Sequence, residues 1–221
     1  QPYGAGKMTE LEDWTEDVES LRNTRNPIPP PLKETVSLFR EKDILQPLFT
    51  SNIKERFGIV LAGSAGGGVQ AAGKLLANAA ILSGLESTMK GEYPITIGTG
   101  FSVAEVIMSH NPINYTGLPT PDIAVILTLD GLNKIKNRLK PDTEILADKS
   151  LELSGFNNVT YLDFFGIGRK KGAVLSAITY WMIKSGLLPK ESLEKSASSH
   201  KYADVLMKTI SKTEEELLNA V

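Results

Sequence analysis

The sequence predicts an α/β fold: a mostly parallel, Rossmann-like three-layer sheet with a helical N-terminal extension. Three observations predict it. Residues 57–62 and 122–128 form short apolar runs, as strands covered on both faces do. The first run stops at Gly63-Ser64-Ala65-Gly66-Gly67-Gly68, and an alanine- and leucine-rich helical pattern follows at once, so that strand-like and helix-like segments alternate from there. Pro27-Ile28-Pro29-Pro30-Pro31 cannot lie inside a helix and separates a leading segment from the rest as a semi-rigid connector.

The elements follow in order. Thr9 and Glu12 make a capping box, and Leu11, Trp14, Val18 and Leu21 then share one helical face. The other sides carry Glu12, Asp13, Glu16, Asp17 and Glu19, either a solvated face or an acidic docking surface. Residues 32–45 suit a second helix, limited by Pro47. Residues 1–52 are thus a helical arm with a Pro-rich linker, or the end of a preceding fused domain, and residues 53–221 are the α/β domain. Within it the pattern predicts a strand at 57–62, a helix at 70–83 closed by Gly84, and strands at 86–93, 101–109 and 122–128. A short helix at 132–139 ends in positive charge, and strands at 143–147 and 158–162 precede a helix at 171–184. Residues 190–220 read as two polar helices that cover one edge or meet a partner.

Composition narrows the chemistry. The 221 residues carry a net charge of -2, which gives no electrostatic reason to expect nucleic acid or an anionic membrane. Without cysteine the chain has no disulfide, no thiolate metal site and no cysteine-ligated iron–sulfur cluster. With only His110 and His200 it has no three-histidine site; His110 fits a turn and His200 a solvated position. No apolar run approaches the roughly 20 residues of a spanning helix, and no signal-peptide core opens the chain. A cytoplasmic protein is the expectation. The first residue is not methionine, which leaves open a longer parent chain.

The glycine cluster is the first candidate site. Its first and last glycines are five apart, as a dinucleotide fingerprint requires, but Ala65 replaces the middle glycine and Glu86 and Glu92 are weak candidates for the ribose-binding acid. Val69-Gln70 after Gly68 excludes a Walker A loop. Residues 91–102 mix Pro, Gly and hydroxyls between two strands, either a working edge or a long surface connection. Arg169-Lys170-Lys171 lies at a helix start, where positive charge opposes the dipole. These are ordinary surface charges, or a site for an anion or for an acidic partner.

Together the two glycine-bearing stretches resemble the gamma subunit, or gamma domain, of the 2-oxoacid:ferredoxin (acceptor) oxidoreductases. The family's G-x-G-G-Q-G-V stands as Gly63-Ser64-Ala65-Gly66-Gly67-Gly68-Val69, and its Y-G-P-E-x-R-G-G-x-S-x-A as Tyr93 through Ala104. Ser109-His110-Asn111-Pro112-Ile113, Pro121-Asp122, Leu139-Lys140-Pro141 and Ala147-Asp148-Lys149-Ser150 also match, so the resemblance covers about residues 57–197. The family's glutamine is Gly67 here, and its loop Glu and Arg are Thr96 and Gly98, which removes an ion pair or anion contact.

The resemblance implies a non-catalytic-alone component of a complex that oxidatively decarboxylates a 2-oxoacid to an acyl-CoA and passes electrons to a ferredoxin-type acceptor. Thiamine diphosphate, magnesium, coenzyme A and iron–sulfur clusters serve the complex, and thiamine diphosphate and the clusters belong to other subunits or domains. Those subunits are the expected partners, with a homodimer also open. The candidate cofactor-binding residues are Gly63, Ser64, Gly66, Gly67, Gly68, Tyr93, Thr96, Thr99 and Ser102. No catalytic or metal-ligating residue is expected. A stand-alone nucleotide- or dinucleotide-binding module is the alternative.

Overall fold

The computed structural model describes residues 46–94 and 100–219. The chain divides into two units, Gln1–Leu45 and Gln46–Val221. The helices expected at 9–21 and 32–45, the proline connector, and Thr96 and Thr99 lie outside the described residues.

The domain begins with β1 (Phe57–Ser64), whose middle is fully buried. Helix α1 (Val69–Leu82) leads to β2 (Glu86–Glu92), and a hairpin connection returns the chain as β3 (Phe101–Ser109). Next come β4 (Ile123–Ile126), α2 (Leu129–Ile135) with a 3₁₀ turn at Lys136–Arg138, β5 (Glu144–Asp148) and β6 (Val159–Leu162). Three helices close the domain: α3 (Phe164–Ser185), α4 (Lys190–Ser198) and α5 (Ala203–Asn219). The strands form one sheet in the order β2-β3-β1-β4-β5-β6. The pairs β1–β4, β4–β5 and β5–β6 are parallel, and β3 alone runs against both its neighbours. The reversal follows from the short link between β2 and β3, because a parallel return needs a crossover of a dozen or more residues.

Each face of the sheet has its own core. On one, Leu75, Leu76 and Ala79 of α1 and Val174, Ile178 and Trp181 of α3 pack on Ile59, Leu61 and Val125. Burying a side chain such as Leu76 contributes about 1.5–3 kcal/mol. Gly73 lets α1 close on the sheet, since a Cβ there would sit 3.0 Å from that of Ala104 and from the Met89 methyl. Phe57 stacks on Trp181 with ring centroids 5.7 Å apart. The other face is covered by α2 and by coil, with Ile135, Leu118 and Leu151 against Val60, Ile107 and Ile145. Glu105 of β3 is buried beneath this coil, 4% exposed. Its carboxylate takes the Leu118 N–H at 3.2 Å and pairs with Arg138 at 2.9 Å, while Arg138 also donates to the Leu118 carbonyl. This half-buried pair ties Leu118 to the sheet, and the sequence pattern does not reveal it.

Most boundaries fall within two residues of the expected ones, but two helices start three or more residues early, each for a capping reason. Helix α2 begins at Leu129 rather than 132 because Thr128 accepts the Gly131 N–H, leaving β4 shorter than 122–128. Helix α3 begins at Phe164 rather than 171. Asp163 accepts the Gly166 N–H at 2.8 Å, and buried Asp148 accepts the Phe165 N–H at 3.0 Å. The helix then breaks at Arg169, whose backbone has φ 52 and ψ -171. Lys212 of α5 reaches the carbonyls of Gly166 and Ile167 beside the break, at 3.0 and 3.4 Å. His200 lies half-buried in the link between α4 and α5, its Nδ1 accepting the Tyr202 N–H.

Candidate functional site: the switch-point cavity

Helix α1 leaves β1 over one face of the sheet, and α2 leaves β4 over the other. Neighbouring parallel strands whose chains part in this way leave a crevice at their C-terminal ends, where open α/β sheets bind ligands. A cavity of about 310 Å³ lies there, lined by Gly63, Ser64, Gly67, Val69, Leu127, Thr128, Phe165, Lys170 and Val174. Four of these are bulky apolar side chains. On the rim, the Ser64 hydroxyl lies 3.4 Å from an Asp130 oxygen.

The glycine turn is held by its own backbone. Gly67 N–H donates to the Ser64 carbonyl at 3.0 Å, and Ala65 N–H to the Gly100 carbonyl at 2.8 Å. Gly68 is the N-cap of α1, with φ 81. A Cβ on it would stand 3.1 Å from the Lys171 carbonyl carbon and closer still to the oxygen. The first residues beyond the α3 break therefore lie against the start of α1. Two N–H groups of the turn are engaged internally, and protein carbonyls approach the helix terminus where an anion would otherwise be expected.

Of the sequence candidates, Gly63, Ser64 and Gly67 line the cavity and Gly68 adjoins it. Gly66 has φ 75 and open space where a side chain would be. Ser102 pairs with Gly63 across the β1–β3 ladder, but it is 5% exposed and its hydroxyl accepts a 3.1 Å bond from Gln70 Nε2. Gln70 Nε2 also donates to the Val103 carbonyl at 2.9 Å, so Ser102 belongs to a packing network. Tyr93 is 67% exposed where the chain leaves β2. Glu92 beside it is ion-paired with Lys134, whose ammonium also lies over the Phe101 ring. The loop and the turn thus meet at one sheet edge through the Ala65–Gly100 bond.

Sequence reasoning missed Leu127, Thr128, Phe165, Val174 and Gln70. The only signals were their places at a strand end or helix start, which become informative once strand order is known. Lys170 belongs to the basic cluster already singled out. Arg169, Lys170 and Lys171 are all exposed, and none forms an ion pair with a described residue. Among the described residues no group of His, Cys, Asp and Glu is arranged to hold a metal, and no helix is long and apolar enough to cross a membrane.

Comparison with known proteins supplies the family. A family model described as pyruvate ferredoxin/flavodoxin oxidoreductase matches residues 58–204. The 2-oxoglutarate synthase subunit KorC of Methanocaldococcus jannaschii is 33% identical over 100 residues, covering 45% of this chain and 54% of that one. The chain therefore matches this curated relative over about half its length. The keto/oxoacid ferredoxin oxidoreductase gamma subunit of Geobacter sulfurreducens superimposes with a TM-score of 0.63 at 26% identity, covering 75% of this chain and 98% of that one. Pyruvate oxidoreductase subunit PORC of Thermotoga maritima has a TM-score of 0.61 at 21% identity, covering 73% and 97%. The 2-oxoglutarate:ferredoxin oxidoreductase of Magnetococcus marinus has 0.65 at 18%, covering 76% and 32%. The last two speak to the fold alone. Because the family model spans well over half of the sequence, the chain belongs to the pyruvate ferredoxin/flavodoxin oxidoreductase family.

Proposed function

We propose that the chain is the gamma-type component of a 2-oxoacid:ferredoxin oxidoreductase, which oxidatively decarboxylates a 2-oxoacid to an acyl-CoA. The observation that carries this reading is the family match over residues 58–204, supported by a fold that covers nearly all of a gamma subunit. The chain contributes structure rather than chemistry. It has no cysteine to hold an iron–sulfur cluster, so the clusters, like thiamine diphosphate and its magnesium, sit on partner subunits or domains. The turn from Gly63 to Gly68, with Tyr93 at the end of β2, lies on the edge that faces those partners and any coenzyme A between them. Electrons leave the complex through a ferredoxin-type acceptor, in the cytoplasm.

The alternative, a stand-alone dinucleotide module, is not favoured. Ala65 and the engaged N–H groups of Ala65 and Gly67 weaken it as a phosphate cradle. Co-purification from cells expressing the candidate partner subunits tests the proposal. A thiamine-containing partner with cluster absorbance is the expected result. Tight binding of NAD(P) or ATP to the purified chain by calorimetry, with no such partner, overturns it.

A further inference from the structure

The rim and floor of the switch-point cavity differ in kind. The floor is made of Val69, Leu127, Phe165 and Val174. The rim carries Lys170, with Arg169 and Lys171 beside it, three exposed cations that pair with no described carboxylate. The Asp130 carboxylate lies beside Ser64. Leu129, directly after the cavity-lining Thr128, is 59% exposed, and Tyr93 at the same sheet edge is 67% exposed. Arg169 has the sole positive φ among the described non-glycine residues, and such outliers cluster at functional sites.

An apolar hole with a cationic rim and exposed apolar neighbours has the anatomy of a protein-binding hot spot. A phosphate-bearing ligand fits less well, because the turn's backbone donors are partly engaged and the lining offers few polar groups to orient it. We infer that this cavity is a docking socket for a partner protein, which inserts an apolar side chain between Leu129 and the α3 break and surrounds it with Asp and Glu that meet Arg169, Lys170 and Lys171. This names the partner chemistry of the proposed gamma-type edge and rests on that proposal. It predicts association that weakens with salt, as rim charges govern encounter and salt dependence.

The test uses the co-expressed complex, affinity-purified through the thiamine-bearing subunit. Wild type, Leu129→Asp and the triple charge reversal R169E/K170E/K171E are compared for the amount of this chain retained. All four positions are exposed, so melting curves of the purified variants should match wild type; Lys170→Ala and Leu129→Ala serve as milder versions. The expected result is a loss of retained chain of roughly tenfold or more for both severe variants. The triple variant should also lose the salt dependence shown by wild type. Undiminished retention of both variants, with wild type assembled, overturns the socket while leaving the gamma-type assignment intact. So does intact assembly with a raised KM for coenzyme A, which would mark the rim as a coenzyme site. Failure of wild type itself to co-purify counts against the gamma-type assignment and the socket together.

Discussion

Gly68→Ala tests the close approach of the α3 break to the start of α1. Two separate effects are expected. At φ 81 a side chain meets the left-handed backbone penalty, about 1–2 kcal/mol. In addition, the new Cβ would stand 3.1 Å from the Lys171 carbonyl carbon and closer to its oxygen, and both atoms are backbone. No rotamer change relieves that contact, so α1 or α3 must shift, an overpacking cost of about 1–3 kcal/mol. Restricting the unfolded chain returns about 0.4–1 kcal/mol. The net loss is centred on ~3 kcal/mol, which for a domain of about 150–250 residues lowers Tm by roughly 6–12 °C. Gly66→Ala is the control, because Gly66 has nearly the same φ, 75, with nothing within 4 Å of its Cβ position. Its loss should be no more than about 1.5 kcal/mol by the same terms. Calorimetric melting of the full-length chain and both variants measures the difference. Equal shifts for the two would refute the claim that the turn is packed against the Lys171 backbone.

Other consequences can be checked alongside. Arg138→Met leaves the buried Glu105 carboxylate without its cation and should cost about 3 kcal/mol in urea unfolding, whereas Glu105→Gln should cost less. Gln70→Ala removes the bonds to Ser102 and Val103, and a loss of about 1–2 kcal/mol with faster amide exchange near residues 101–103 is expected. Asp163 is held below its ordinary carboxylate range by its hydrogen bond from Lys149, then by the Gly166 N–H; the same Lys149 bond raises the lysine. A depressed carboxylate contributes stability above its unfolded pKa of about 3.9, lost as pH falls through the folded value. Asp163→Asn should therefore flatten the acid limb of the stability curve below about pH 4. Lys149→Met should flatten the alkaline limb above about pH 10, because a raised lysine loses its contribution as pH rises through its folded value.

Much of the fold is legible in the sequence because its signals are local. The apolar middle of β1, the small-residue face of α1 and Gly84 after it each fix an element with no knowledge of the rest. The direction of β3 is less visible, since an alternating strand reads the same whichever way its neighbours run. The early start of α3 had a local signal in Asp163, but the carbonyls beside the break at Arg169 are met by Lys212 from α5, which is distant in sequence. The site divides in the same way. Gly63, Ser64 and Gly67 stand out as glycine-turn residues, whereas Leu127, Phe165 and Val174 look like any core residue. Only strand order brings the end of β4 and the start of α3 to the end of β1.

The reversed strand has a consequence for how such a domain can change. Strand β2 ends at Glu92 and its antiparallel neighbour β3 begins at Phe101, so the segment between them joins adjacent ends of two paired strands. Lengthening a flexible loop is inexpensive, about 0.6 kcal/mol for each doubling. This segment is therefore a place where residues can be inserted or removed without disturbing the sheet register. Such a change leaves the paired strands as they are, which gives a stable scaffold one adjustable border beyond the ends of β2 and β3.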